Sequence, residues 1–272
     1  MLVSIITVNF NHLEGLKRTY ESVVNQTFGD YEWIVIDGGS TDGSREFIEQ
    51  HQDHFAYWCS EKDNGIYHAM NKGIRQAKGE YLNFMNSGDT FACSETLAGV
   101  FSEHRTADIL YGYMMRGHIN AKYYEYFSME SSLHWSILYS NTLPHQSSFI
   151  KKTLFDVVGL YDEVLKSASD AKFFKEAILN YKATYEFIPK KIAVFEGNGI
   201  SANGRYYNEV VQIANDIFPS YISKEDIREL GRISMIKSSR SMALLYRVVT
   251  IMAILIFRFK RAWRDRKLSE YF

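Results

Sequence analysis

In the first ninety residues, apolar positions gather into four short runs, and the stretches between them carry helical periodicity. Leu2–Val8 is a nearly continuous apolar run rich in β-branched residues, the pattern of a strand covered on both faces in a parallel sheet. Three further strands are predicted at Tyr31–Asp37, Phe55–Ser60 and Glu80–Met85. Leu13, Leu16, Tyr20, Val23 and Val24 recur at helical spacing after Asn11, which reads as a helix cap with Glu14 three residues on. Two more helices are expected: near Ser44–Gln52, after the turn Gly38–Gly43, and near Tyr67–Ala77, stopped by Gly79. Strand and helix alternating at this spacing imply right-handed crossovers and an α/β fold: a Rossmann-like, open, mostly parallel sheet with helices on both faces. Ligands of such sheets gather at the carboxyl ends of the strands.

The second half is less regular. Strands are expected at Asp108–Met115, Lys122–Phe127, His145–Ile150 and Thr184–Phe195. Helices are expected at Lys152–Val158, Asp170–Tyr181, Tyr206–Phe218 and Lys224–Lys237, with a glycine-containing loop over Glu196–Arg205. There is no internal repeat.

Composition narrows the class. With 272 residues, 46% hydrophobic and 23% charged, the chain is neither disordered, collagen-like nor a polytopic membrane protein. Two cysteines, Cys59 and Cys93, suit a reducing compartment rather than a disulfide framework. Met1 runs straight into the first strand without a basic leader, so a cytoplasmic location is expected. The net charge of −1 argues against a nucleic-acid partner, but it is a cancellation. Residues 235–272 hold nine Lys/Arg against two Asp/Glu, a net of +7, which leaves −8 for the first 234 residues. Within that tail Met242–Phe257 is apolar apart from Arg247 and Thr250, and sixteen helical residues span roughly 24 Å, short of a roughly 30 Å hydrocarbon core. At 100° per residue Lys237, Arg240, Arg247, Arg258 and Arg261 share one side of a helix, as in a helix lying on the anionic inner face of the cytoplasmic membrane. The competing readings are a helix packed on the protein's own core, a homodimer contact, and a true span.

The candidate chemistry lies at strand ends. Asn9, Asn11, Asp37, Asp63, Asn86 and Asp89 all fall just past a predicted strand or in the loop that follows it, as hydrogen bonding to a base and ribose requires. Asp89, in the turn Asn86-Ser87-Gly88-Asp89, is placed to hold a hard divalent ion such as Mg²⁺ or Mn²⁺ that also bridges two phosphates. Neither a Gly-x-x-x-x-Gly-Lys-[Ser/Thr] loop nor a Gly-x-Gly-x-x-Gly turn is present, so P-loop enzymes and dinucleotide dehydrogenases fall behind.

Four segments then occur in a telling order: Thr7-Val8-Asn9-Phe10-Asn11, Val35–Gly43, Glu61–Tyr67 with Ala69-Met70-Asn71-Lys72-Gly73, and Asn86-Ser87-Gly88-Asp89. Together they resemble the family-two nucleotide-sugar glycosyltransferases of the GT-A fold, over roughly residues 1–200. The resemblance implies inverting, metal-dependent transfer of a sugar from a nucleoside diphosphate donor, usually a UDP-sugar. Thr7, Asn9 and Asn11 then belong to the loop lining the nucleoside, Asp37 resembles the base-binding acid, and Asp63 its second nucleoside contact. Asn86 belongs to the donor turn, and Asp89 resembles the last acid of the Asp-x-Asp metal motif, with Asn86 and Gly88 standing where many members have Asp. Asp170, in Ser169-Asp170 after Tyr161-Asp162-Glu163, resembles the catalytic base; it is also placed to cap the helix that follows. His145, in Pro144-His145-Gln146, resembles a segment near the acceptor and donor sugar, the Glu196–Ser201 loop resembles one that closes over the diphosphate, and Arg205 just beyond it is placed either to reach phosphate or to face solvent.

The implied layout is a GT-A domain over residues 1–218, with a nucleotide-binding half to 115 and an acceptor half from 116. A helical extension follows over 219–272. The implied function is transfer of one sugar from a UDP-sugar to a glycan acceptor, lipid-linked, for bacterial surface polysaccharide, with the tail holding the enzyme peripherally on the membrane. The alternatives are a soluble transferase with a protein or small-molecule acceptor, a non-catalytic nucleotide-sugar-binding protein, and a nucleotidyltransferase that would release pyrophosphate.

Overall fold

The structure is a computed structural model that describes residues 1–117, 125–127, 142–197 and 205–218. Its strands are β1 (Val3–Asn9), β2 (Tyr31–Asp37), β3 (Tyr57–Ser60), β4 (Tyr81–Phe84), β5 (Thr90–Phe91), β6 (Ile109–Arg116), β7 (Glu125–Phe127), β8 (Ser148–Lys151) and β9 (Tyr185–Phe195). Its helices are α1 (Leu13–Val24), α2 (Ser44–Gln50), α3 (Ile66–Gln76), α4 (Thr96–Val100), α5 (Lys152–Val158), α6 (Ser169–Leu179) and α7 (Arg205–Ile217). The strands form one sheet in the order β3-β2-β1-β4-β8-β6-β9-β5, with β7 paired to β6.

The open α/β sheet is as expected, and β3-β2-β1-β4 is parallel throughout. Beyond β4 the sheet is mixed: β8 runs antiparallel to both β4 and β6, β9 is parallel to β6, and β5 is antiparallel to β9. The predicted strand at His145–Ile150 begins instead as a 3₁₀ turn over His145–Ser147, and β3 is preceded by another at Gln52–His54. The short elements β5 and α4 have no counterpart in the periodicity analysis. The expected helices at Lys224–Lys237 and in the basic tail lie outside the described residues.

Every residue of β1 and β4 is buried, which accounts for their mostly apolar character, and the polar exceptions Ser4, Thr7, Asn9 and Asn83 are hydrogen-bonded inside the fold. On one face, Val3 and Ile5 of β1 and Trp33 and Val35 of β2 pack with Leu16 and Val23 of α1, Ile48 of α2 and Leu97 of α4. On the other face lies α3, whose Gly73 backs onto Ile6: a Cβ there would sit 2.4 Å from the Ile6 Cγ2. Glu32, buried in β2, accepts bonds from the Ser4 hydroxyl (2.6 Å) and the Lys78 and Gly79 amides (2.5 and 3.2 Å), fixing the turn from α3 into β4. An aromatic layer continues past β4, where Tyr161 meets Phe84, Phe155, Phe173 and Tyr67 at centroid distances of 5.3–5.6 Å.

The chain groups into two compact units. One comprises residues 1–132 and 142–210; the other comprises 133–141 and 211–272, of which residues 211–218 are described. Both cysteines are free. Among the described residues no helix is long and apolar enough to cross a membrane.

Candidate active site

The loops at the carboxyl ends of β1, β2 and β4 are built on carboxylates used as structural acceptors. Asp37, fully buried at the end of β2, takes bonds on Oδ1 from the Asn9 amide (2.7 Å) and Ser40 hydroxyl (2.5 Å). Its Oδ2 takes the Ser60 hydroxyl (2.6 Å) and the Gly39 and Ser40 backbone amides (3.2 and 2.9 Å). One acid thus ties the ends of β1, β2 and β3 to the glycine turn.

Asn11 does not cap α1, since no side-chain cap bond is formed there and His12 holds the N-cap position. Asn11 is in the left-handed region (φ 47°), and its Oδ1 accepts the Thr41 amide at 2.8 Å, binding the first loop to the second. The cap comes from Asp42, whose carboxylate accepts the Leu13 amide (2.8 Å) at the start of α1 and the Ser44 amide (3.1 Å) and hydroxyl (2.6 Å) at the start of α2. Burial works against this charge, but the donors from Ser44 and Leu13 outweigh it and hold the Asp42 carboxyl below its ordinary range. Thr7, expected beside the nucleoside, is in the sheet interior, its hydroxyl spent on the Met85 carbonyl (2.8 Å) and the Trp33 indole (2.9 Å). It faces inward because β1 alternates, and residue 7 falls on the face that packs against Trp33.

Asp63 is held from α3. The His68 Nδ1 and Lys72 Nζ both reach its Oδ1, at 2.8 and 2.7 Å, and Lys72 also pairs with Glu61 at 2.6 Å. Its Oδ2 is buried with no hydrogen-bond partner, and so is Asn9 Oδ1. Beside them Phe10 is 66% exposed, with its ring at the close approach of Gly38. A buried acceptor without a donor is costly unless a ligand supplies one, and an exposed aromatic next to two of them completes a pocket edge suited to a planar, hydrogen-bonding group.

The turn after β4 is held by Thr19 of α1, whose hydroxyl accepts the Gly88 amide (3.0 Å) and donates to the Asp89 carbonyl (2.7 Å). Gly88 has φ +100°, and a Cβ there would lie 2.3 Å from Glu196 Oε2, so a side chain at this position would strain the backbone and displace the Glu196 carboxylate. Glu196, at the end of β9, pairs with Arg18 (2.5 Å) and His12 (3.5 Å), and its backbone amide donates to Asp89 Oδ1 (3.3 Å). Burial pushes the Asp89 carboxyl up to about 7; the Glu196 charge adds to this, while His145, the Glu196 amide and Gln146 oppose it.

No cluster of three His, Cys, Asp or Glu side chains able to hold a metal occurs among the described residues. A buried carboxylate raised by desolvation, with the partnerless Ser87 Oγ in the same turn, nevertheless fits a hard cation that takes its remaining ligands from a diphosphate.

Asp170 lies on the first turn of α6 without capping it. Its Oδ1 accepts the Tyr67 hydroxyl at 3.0 Å, and its Oδ2 lies 2.8 Å from His145 Nδ1. Burial raises its pKa, but the bonds from His145 and Tyr67 prevail and the carboxyl is lowered below its ordinary range. The other nitrogen of His145, Nε2, lies 3.2 Å from the Asn86 amide nitrogen, which links the acid to the donor turn. His145 is placed by Asn83 of β4, whose amide donates to the Gln146 and Ser148 carbonyls, both at 3.0 Å. Asn71 of α3 similarly clasps the Tyr161 backbone, donating to its carbonyl (2.9 Å) and accepting its amide (3.0 Å).

The structure therefore brings Asp170, His145, Asn86 and Asp89 into one constellation, and Asn9, Asn11, Asp37 and Asp63 into another. Thr7 joins neither. Arg205 opens α7, but its side chain lies outside the described residues. Tyr67, Asn71, Phe10 and Glu196 were not singled out in the sequence. For Phe10 a signal existed, since an aromatic between two strand-end asparagines has no core to enter.

Comparison with known proteins accords with this arrangement. Residues 4–156 match the family model for glycosyl transferase family 2. An uncharacterized glycosyltransferase of Mycobacterium tuberculosis is 36% identical over 181 residues, which make up 65% of this chain and 69% of that protein. A PGL/p-HBAD biosynthesis glycosyltransferase of Mycobacterium bovis is 29% identical over 182 residues, 63% of this chain and 68% of that one. The fold is similar to that of S. aureus TarS 1–349 in complex with UDP-GlcNAc, with a TM-score of 0.64 at 22% identity, covering 85% of this chain and 70% of the other. Of a longer TarS chain it covers 44%.

Proposed function

The chain belongs to glycosyl transferase family 2, and on that premise we propose that it transfers a hexose or N-acetylhexosamine from a UDP-sugar to a glycan acceptor, with inversion at the anomeric carbon. The observation that carries the reading is the pair of constellations: partnerless buried acceptors beside an exposed aromatic at one end, and a buried Asp–His pair at the other, bridged by the turn that holds Asp89. The UDP-GlcNAc complex of a protein with this fold supports a uridine donor.

In this reading the base stacks on Phe10 and is hydrogen-bonded by Asp63 Oδ2 and Asn9 Oδ1, in a loop kept rigid by Asp37 and Asn11. Asp89 holds Mg²⁺ or Mn²⁺, and Arg205 adds a cation to the diphosphate. When bound, the metal neutralises the charge that gathers on the leaving diphosphate. The Asp170–His145 pair takes the proton of the attacking hydroxyl, which must approach from the side opposite the leaving group for inversion. The acceptor in this reading is a lipid-linked surface glycan; the relative's part in PGL/p-HBAD biosynthesis supports a biosynthetic glycosyltransferase. The basic, apolar tail is the sequence feature that supports a cytoplasmic enzyme resting on the inner membrane face.

Incubation with UDP-glucose, UDP-galactose, UDP-GlcNAc and GDP-mannose, each with Mn²⁺, tests the proposal. Release of UDP from one of them is expected. Release of GDP from GDP-mannose alone would overturn the uridine donor, release of pyrophosphate would make the chain a nucleotidyltransferase, and binding of UDP with no release either to water or to added glycan acceptors would make it a binding protein.

A further inference from the structure

Glu209 of α7 closes on the segment that leads into α6. Its Oε1 accepts the Lys166 amide at 3.0 Å, and its Oε2 accepts the Ser167 amide at 2.8 Å and the Ser167 hydroxyl at 3.0 Å. Three bonds from two successive residues fix both the place and the direction of the chain, and bonds to a charged acceptor are stronger than neutral ones. The segment needs this support, since Val164 within it is 82% exposed and Ala168, the N-cap residue of α6, makes no side-chain cap bond. At its start the segment is fastened to α6, where the Ser169 hydroxyl accepts the Asp162 amide at 2.5 Å and Lys172 pairs with the Asp162 carboxylate at 2.8 Å. At its end it is fastened by Glu209, three residues before the buried Asp170. The Tyr67 and His145 bonds grip the tip of Asp170, whereas Glu209 sets the main chain from which that side chain projects. Tyr206, one turn before Glu209 on α7, is also close enough to Asp170 to interact with its charge. Residues 205–210 belong to the same compact unit as α6.

We infer that Glu209 is a positioning residue for the transfer: by holding the entry to α6 it keeps the Asp170 carboxylate at hydrogen-bonding distance from the acceptor hydroxyl. The inference rests on the proposed function, in which the Asp170–His145 pair takes that hydroxyl's proton, and it brings α7 into the catalytic apparatus. Without the Glu209 carboxylate, two amides and a hydroxyl lose their shared acceptor and a largely exposed segment is free to move. A shift of about 1 Å at a reacting group costs about 10²-fold in rate. The loops that carry Asp37 and Asp63 are braced by other side chains, Asn9 and Lys72 among them, so the nucleotide half keeps its geometry when Glu209 is removed.

The test joins amide hydrogen exchange to kinetics in the full chain. In the wild-type protein the Lys166 and Ser167 amides are expected to exchange slowly, and Glu209→Ala is expected to speed both by about tenfold or more. Free exchange of these two amides in wild type would overturn the inference whether or not a donor has been found. For the UDP-sugar that wild type turns over, Glu209→Ala is expected to lower kcat about 10–100-fold, with UDP affinity by calorimetry unchanged. Glu209→Gln keeps one oxygen for the Ser167 amide and hydroxyl, and is expected to recover part of the rate, leaving kcat about 3–10-fold below wild type. A Glu209→Ala enzyme with kcat within about twofold of wild type, or one whose UDP affinity falls as far as its kcat, would overturn the positioning role. Should Glu209→Ala not fold, Glu209→Gln decides, and a wild-type kcat in that variant overturns the inference. Absence of UDP release from wild type with every donor would defeat the proposed function, while the exchange result still decides whether Glu209 holds the segment.

Discussion

The two constellations are assembled in opposite ways. In the nucleotide half, Asp37 is satisfied by Asn9, Gly39, Ser40 and Ser60, all from loops at the ends of adjacent parallel strands. In the acceptor half, Asp170 is satisfied by Tyr67 and His145, which arrive from α3, 103 residues earlier in the chain, and from a 3₁₀ turn 25 residues earlier. Neighbouring strands of a parallel sheet bring their carboxyl ends together automatically. The acceptor side depends on an antiparallel strand, β8, and on side chains that reach across from the first half. The helix α3 does both tasks: Lys72 and His68 pin Asp63, while Tyr67 and Asn71 brace Asp170 and Tyr161.

Asp37→Ala attacks the first arrangement most directly. It strands several buried donors at once, and a stability loss of about 3–5 kcal/mol in urea unfolding is expected, together with loss of UDP binding. A smaller loss, with UDP binding intact, would mean that the loops hold without their shared acceptor.

Asn71→Ala sharpens the contrast, because it alters the nucleotide half in sequence but the acceptor half in space. It is expected to cost about 2–3 kcal/mol and to lower kcat about 10–100-fold by loosening the segment before Asp170, while calorimetry finds UDP affinity unchanged. Weaker UDP binding would show that the two constellations are coupled.

Asp89→Asn tests the bridge between them. The folded pKa of about 7 lies above the ordinary 3.8, so the folded protein retains a proton that the unfolded chain has given up. The stability from this group is therefore present below about pH 4 and lost as pH rises through about 7. The variant should unfold at a higher temperature than wild type at pH 8 and at the same temperature at pH 4. Mn²⁺ should raise the wild-type midpoint at pH 8 and leave that of the variant unmoved.

Phe10→Ala carries the smallest effect and separates binding from folding. An exposed ring contributes little to the core, so stability should stay within about 0.5 kcal/mol, whereas UDP affinity should fall by about 1–3 kcal/mol if the ring stacks on the base. Equal affinity would remove Phe10 from the site.

Much of the nucleotide half was legible before any coordinates. The runs at Leu2–Val8, Tyr31–Asp37 and Glu80–Met85 are mostly apolar because both faces are covered, with Ser4, Thr7, Glu32 and Asn83 as buried, bonded exceptions, and the Asn and Asp residues at or past their ends fall where the loops converge. Thr7 misled because a motif position does not say which face of the strand it occupies. Asn11 misled because a capping pattern describes one helix, while Asp42 serves two from the next loop. In the second half, His145–Ile150 read as a strand, although its first three residues turn in 3₁₀ form to carry His145 toward Asp170.

What the sequence determined by itself was the class of fold, the parallel core and the identity of the groups able to do chemistry, since burial on two faces and polar strand ends are written in short-range patterns. What only the tertiary structure decided was how those groups pair. Whether Asp170 meets an acceptor or a histidine, whether Asp89 sits dry beside Glu196, and which oxygen of Asp63 stays open are all set by contacts between residues far apart in the chain. Hydrogen bonds act over about 3 Å in space, and no local periodicity records which distant side chain will come within that reach.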